Sequence, residues 1–275
     1  MGLFDKFKRK KEMDLREVNS KENKEIDSPV AQEERTGPVL GFVLLDRPQY
    51  DWNSFIETMA RDWDIEISEA THEENLVFVV GEMMVACAYM PVPIPEREVE
   101  DCCKYNLIWP EAEQVVSAQQ AHVIVTVMNT ADPLAAHVLF TQVTASLSKW
   151  EHAIAFYSAP LVVSADNYIR GSEVFKEDDL PIQLWVFIGL YTQDQKVCAY
   201  TVGLNKFGKD EIEILKSEEG FSEVFEFMHA IISYVIGYHV TLMDGQTIGF
   251  TAEQKLPLTR SKGVSVEGDS IKIGF

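Results

Sequence analysis

The chain contains no C-x-x-C pair, no run of apolar residues long enough to cross a bilayer, and few basic side chains outside its first forty residues. Its four cysteines are Cys87, Cys102, Cys103 and Cys198, and a chain of this length does not depend on disulfide staples. Cys102 and Cys103 fall side by side on a helical stretch, so they point about 100° apart and share a metal poorly. Cys87 and Cys198 sit in apolar, strand-like runs, where a thiol behaves as a small hydrophobe. Reduced cysteines and a cytoplasmic protein are therefore expected. The longest apolar run, Leu76–Tyr89, contains Glu82 and is too short to span a membrane. Charges interrupt the N-terminus where a signal peptide needs its apolar stretch. Phe207-Gly208-Lys209 lacks the upstream glycine and the hydroxyl residue of a phosphate loop, and G-x-G-x-x-G, G-x-S-x-G and H-E-x-x-H do not occur. Those absences exclude the recognisable forms of these sites, and no metal or cofactor is expected.

The shortage of basic residues is local. Residues 1–38 hold nine basic and nine acidic side chains, leaving fifteen basic against thirty-five acidic for the rest, which carries the whole net charge of −20. Such a body repels a phosphate backbone, because nucleic-acid affinity comes mainly from Lys and Arg neutralising phosphates. No nucleic-acid partner is expected. The acidic surface serves solubility, or it docks a basic protein partner.

Residues 1–37 read as a flexible tail. Within Gly2–Lys11, Leu3, Phe4 and Phe7 form one narrow apolar face among five basic residues. That resembles a short interfacial helix with at most weak contact to an anionic membrane, at the inner face of the cell membrane. Lys6 stands where the myristoylation pattern requires Ser or Thr. Residues 12–38 are polar and charged, as in a disordered linker.

From Val39 onward the pattern is globular, and 46% hydrophobic content over 275 residues supports a sizeable core. Val39–Leu45 has strand length. A helix from about Asp51 buries Phe55, Met59 and Trp52. Ile65–Ser68 alternates like a strand. Leu76–Val80 and Met83–Tyr89 read as two buried strands about Gly81-Glu82. Pro91, Pro93 and Pro95 impose an extended crossover, followed by a helix over Glu96–Tyr105. His122–Met128 is a strand, and Asp132-Pro133 is an N-cap with proline at the first helical position. Ala153–Tyr157 is again a strand. Glu173–Pro181 reads as a joint between an N-terminal lobe, 38–178, and a C-terminal lobe, 179–275. In the second lobe a hairpin turns at Gln193-Asp194-Gln195, Glu211–Leu215 is a strand, and Glu218–Ile236 is an amphipathic helix closed by Gly237. Val240–Met243 and Thr247–Thr251 read as a hairpin about Asp244-Gly245. Grouped strands without regular strand–helix alternation predict an α+β fold with mixed or antiparallel sheets flanked by helices.

His122, His137 and His239 are the candidate pocket residues. A strand-end histidine beside a helical one can flank a pocket, yet no nucleophile or carboxylate is placed with them, and each reads more simply as structural. The pairs Asp178-Asp179 and Asp210-Glu211 suit metal or acid–base chemistry, but in so acidic a chain they read as solvated loops.

GLNKFGKDEIEI at Gly203–Ile214, the helix Phe221–Ile236 and MDGQTIGFTAEQKLPLT at Met243–Thr259 resemble the bacterial family DUF4261, most clearly over Cys198–Thr259. MPVPIP and HVIVTVMNTADPLAAHVLFTQ resemble what precedes that domain in its longer members. The resemblance implies a bacterial cytosolic protein of unknown activity, with no catalytic residues to carry over. Three functions stay open. The first is an acidic, non-enzymatic interaction protein, one form of which neutralises a basic toxin or effector. The second is an enzyme or sensor with a small-molecule pocket between the lobes. The third is an adaptor attached weakly to the membrane by its tail.

Overall fold

A computed structural model describes residues 37–67, 71–72, 74–104, 106, 108–128, 131–249 and 254–275. The tail, with the membrane face read at Leu3, Phe4 and Phe7, lies outside the described residues. The fold is α+β: two sheets, built from consecutive halves of the chain, with six helices among the described residues.

The first sheet has seven strands: β1 (Val39–Leu45), β2 (Thr71–His72), β3 (Asn75–Val80), β4 (Met83–Met90), β5 (Ala121–Met128), β6 (Ala153–Ser158) and β7 (Leu161–Ser164). They run in the order β2-β3-β4-β5-β1-β6-β7, every neighbour antiparallel. Three helices cover one face: α1 (Trp52–Trp63), α4 (Pro133–Leu147) and α5 (Ala165–Ser172). Between them in sequence come the short α2 (Glu98–Cys103) and α3 (Ala112–Val116), which lie on the other face beside β6 and β7.

Helix α4 is the pivot of the molecule. Asp132 caps it by accepting from the Leu134 and Ala135 N–H groups at 3.0 and 3.2 Å, with Pro133 in the first turn. All but its first three residues are buried. A helix buried all round needs cover on every side, and the second half of the chain supplies part of it. Trp185 Nε1 donates to Thr141 Oγ1 at 2.7 Å, and the Phe207 ring stacks on His137 at 4.1 Å. One apolar core runs without a break from Val39 to Ile273.

The second sheet contains β8 (Phe187–Gln193), β9 (Lys196–Val202), β10 (Glu211–Ser217), β11 (Thr247–Ile248), β12 (Leu256–Lys262) and β13 (Asp269–Ile273). Its order is β11-β12-β13-β10-β9-β8, antiparallel except for the β10–β13 pair. Helix α6 (Phe221–Gly237) packs on β8 and β9.

Three local expectations fail for identifiable reasons. Ile65–Ile67 is irregular chain, not strand, and Ser68 lies outside the described residues. Asp64 ends α1 in the left-handed conformation, and the Ile65 N–H is tied back to the Met59 carbonyl. Asp244-Gly245 does turn the chain, with Gly245 at φ 77°, but β11 pairs with β12 and not with 240–243. Gly249 faces the Gln254 carbonyl so closely that a side chain has no room. Helix α6 continues through Gly237, and the left-handed residue is His239, at φ 54°.

Candidate functional site

Alternation along the central strands of the first sheet divides it into two faces of unequal cover. On the helix side, Leu76, Phe78, Val85, Cys87, Val123 and Val125 are buried in the main core. On the opposite side, the half over β1, β6 and β7 is roofed. Ile94 from the proline strap, with Val99 and Val116 from α2 and α3, packs there on Leu44, Ala155 and Tyr157 as a second, smaller core. The half over β3, β4 and β5 has no roof among the described residues. Val77 and Val79 of β3 are 38% and 63% exposed and Met90 of β4 is 37% exposed, while Met84, Ile124 and Met128 are half-buried. Leu40, 43% exposed, continues the surface onto β1, whereas Phe42 packs against the roofed core.

An antiparallel sheet with one wet face normally carries polar side chains there. Here the uncovered face is mostly apolar, Asn75 and Thr126 being its polar members. Three strands, each about 4.8 Å wide and some six residues long, make it roughly 14 by 20 Å, on the order of 300 Å². That is the size at which an exposed patch on a monomer is commonly functional. Exposed carboxylates stand at both ends of the β3–β4 hairpin: Glu74 before β3, and Glu82 in the turn. Leu76–Val80 and Met83–Tyr89 thus form the expected hairpin, but they are buried on one face only. The signal for the site lay in those two runs, which are apolar at successive positions and require cover on both faces, while the described residues cover one.

The three candidate histidines occupy three separate environments. His122, at the start of β5, lies under the edge of that roof, edge-on to Phe42, and its Nδ1 donates to the Val92 carbonyl at 2.9 Å. The Ile94 N–H is held by Gln119 Oε1 at 3.1 Å, so the two side chains clamp the proline strap to the sheet. Burial lowers the His122 pKa, against the Val92 bond, which raises it. His137 is on the opposite side of the sheet, in α4. His239 is exposed beyond α6, its carbonyl accepting from Lys209 Nζ at 3.2 Å. Only His137 lines the crevice between the two sheets, with Leu40, Pro160, Trp185, Phe187 and Lys206 among the other walls. That crevice encloses about 20 Å³, room for about one water and far below a metabolite site.

Two buried carboxylates on β10 organise the second sheet. Glu211 and Glu213 share one face of the strand, opposite Ile212 and Ile214, which join the main core. Glu211 accepts from Thr201 Oγ1 at 2.6 Å and from the Gly203, Leu204 and Asn205 N–H groups at 2.9–3.3 Å. It thereby caps the 3-10 turn Leu204–Phe207 from across the sheet. The expected solvated pair Asp210-Glu211 is therefore split. Asp210 binds Arg260 at 2.8 Å, and Glu211 is buried on backbone donors. Glu213, wholly buried, accepts from the Val264 and Ser265 N–H groups and from Ser270 Oγ, with Lys272 Nζ at 3.2 Å.

These contacts explain part of the run from Gly203 to Ile214: Glu211 closes on the amides of Gly203, Leu204 and Asn205, while Glu213 ties the run to the 264–272 segment. Residues 200–274 match DUF4261, a domain of unknown function. The DUF4261 match starts inside β9 and runs through β13, beyond the stretch read from sequence, and it leaves out β8. No curated protein and no solved structure matched the chain. Within the DUF4261 segment Gly203 has φ 125°, and a Cβ there would stand 2.7 Å from the Trp185 carbonyl oxygen. Gly203→Ala is expected to cost about 2–3 kcal/mol through strain and that clash, read as a lower denaturant midpoint. An unchanged midpoint would contradict the close approach.

Among the described residues no helix is long and apolar enough to cross a membrane, and no group of three or more His, Cys, Asp or Glu is placed to hold a metal.

Proposed function

We propose that this is a non-enzymatic interaction protein of the bacterial cytosol that takes a basic, partly apolar protein segment on the open face of its first sheet. The observation carrying the proposal is the uncovered apolar strip over β3, β4 and β5, set in a body of net charge −20. The apolar centre supplies affinity through burial, at about 25 cal/mol per Å² before the costs of association. The acidic surroundings supply encounter rate and partner choice. Neutralising a basic toxin or effector is one concrete form of this activity. A metabolite enzyme or sensor using the crevice at His137 has less support, because the cavity accommodates about one water.

The test uses the full chain and its Val79→Glu variant, immobilised against lysate of the source cell. Val79 is 63% exposed, so the substitution is expected to change stability by no more than about 0.5 kcal/mol. The wild type is expected to retain a basic protein stoichiometrically, releasing it at high salt, and Val79→Glu is expected to lose it. Retention of the same proteins by both chains would overturn the proposal.

A further inference from the structure

The open face has a size, a charge setting and a tether that together select one occupant. At roughly 300 Å² it falls well short of the about 800 Å² per partner that a stable dimer buries, so a second copy on this face alone is a poor fit. A ten-residue helix is about 15 Å long and 10 Å wide, which matches the strip. The chain itself carries a ten-residue stretch of matching composition. Gly2–Lys11 holds five basic residues against one acid, a net charge of +4, facing a body of −20. Its apolar residues Leu3, Phe4 and Phe7 fall on one side at helical spacing.

The attachment point is also suitable. The chain enters the first sheet at Val39, and the next residue, Leu40, belongs to the open face and is 43% exposed. The 27 residues between Lys11 and Val39 have a contour length of up to about 90 Å, further than any point of the strip requires. A tether of that length holds its end near the face at roughly millimolar effective concentration, so even a weak contact is populated.

We infer that the N-terminal segment Gly2–Lys11 docks on the open face of the first sheet in its own chain, as a built-in competitor for the incoming basic partner. The inference rests on the proposed function of that face and deepens it. The tail has the same chemistry as the client, so a client must displace it, and only one that binds better than the tail is held.

The two ideas separate in a titration of the full chain with one fluorescent probe, a fourteen-residue helical peptide of Leu and Lys. The comparison is between wild type and a Leu3→Ser/Phe4→Ser/Phe7→Ser variant, which keeps the tail's charge and removes its apolar face. If the tail leaves the face free about one time in ten, the variant binds the probe about tenfold more tightly than wild type. Adding Val79→Glu to either chain abolishes binding. Equal affinities for wild type and variant, both lost with Val79→Glu, would overturn tail docking and leave the face as a binding site. No binding by either chain would overturn both ideas. Equal affinities, with wild type but not the variant retained on phosphatidylserine vesicles, would overturn tail docking and assign the segment to the membrane.

Discussion

Replacing Glu213 by alanine is expected to lower the melting temperature by about 12 °C, the largest single effect in the molecule. The carboxylate is fully buried and collects four donors: two backbone N–H groups from the 263–268 turn, the Ser270 hydroxyl and Lys272 Nζ. Alanine removes the acceptor and leaves those donors behind. Breaking one partner of a buried ionic network costs about 3–5 kcal/mol, because the groups left unpaired stay desolvated. At roughly 2–4 °C per kcal/mol for a chain of this size, that gives the stated shift. Glu213→Gln keeps one carbonyl acceptor and is expected to lose about half as much. Burial by itself opposes ionisation of Glu213. The bonds from Ser270, Ser265, Val264 and Lys272 outweigh it, so its pKa lies below the ordinary 4.5. The native state therefore prefers the ionised form. That contribution is complete above pH 4.5 and is lost as pH falls through the lowered native value. A melting temperature within about 3 °C of wild type for Glu213→Ala would show that the turn holds without it.

The second large effect appears at milder acidity. His137 is 3% exposed in α4, and burial, opposed by its bond to the Pro133 carbonyl, holds its pKa down to about 4. In the unfolded chain the imidazole takes its proton near pH 6.5, while the native state takes it only near 4. The unfolded state thus binds more protons between these values, and stability falls as pH drops through that window. The loss is roughly 3 kcal/mol, or about 10 °C in melting temperature. Glu213 is still ionised above pH 4.5, so the two effects separate. His137→Phe keeps the ring packed on Phe207 and has no proton to gain. Its melting temperature is expected to fall by about 7 °C less than that of wild type between pH 7 and 4.5. Parallel curves would contradict a buried neutral histidine.

What the sequence disclosed, and what it withheld, follows from the range of the interactions. The Asp132 cap, the β3–β4 hairpin and the hairpin at Asp194-Gln195, both at positive φ, are local devices and were legible. The ends of α1 and α6 were less so, because Asp64 and His239 take a conformation usually left to glycine. Of the two glutamates of β10, Glu211 read as half of a solvated acidic pair and Glu213 only as a strand position. Their roles depend on amides as distant in the chain as Val264 and Ser265, and no spacing rule joins residues 51 positions apart. Periodicity likewise found the apolar strands but could not tell that the described residues cover only one face of β3 and β4. The proline strap had a similar fate. Its extended shape was legible, whereas the clamp formed by His122 and Gln119 became visible only when the sheet was assembled.

The claim that the open face is the binding surface is tested most directly by the methionine methyl groups. Met84, Met90 and Met128 point from it, Met59 and Met228 are wholly buried elsewhere, and Met243 is exposed in a distant loop. A methyl NMR titration of the full chain with the Leu–Lys peptide is expected to shift Met84, Met90 and Met128 and to leave Met59, Met228 and Met243 in place. Shifts at Met243 with none at Met84, Met90 or Met128 would place binding elsewhere and contradict the account.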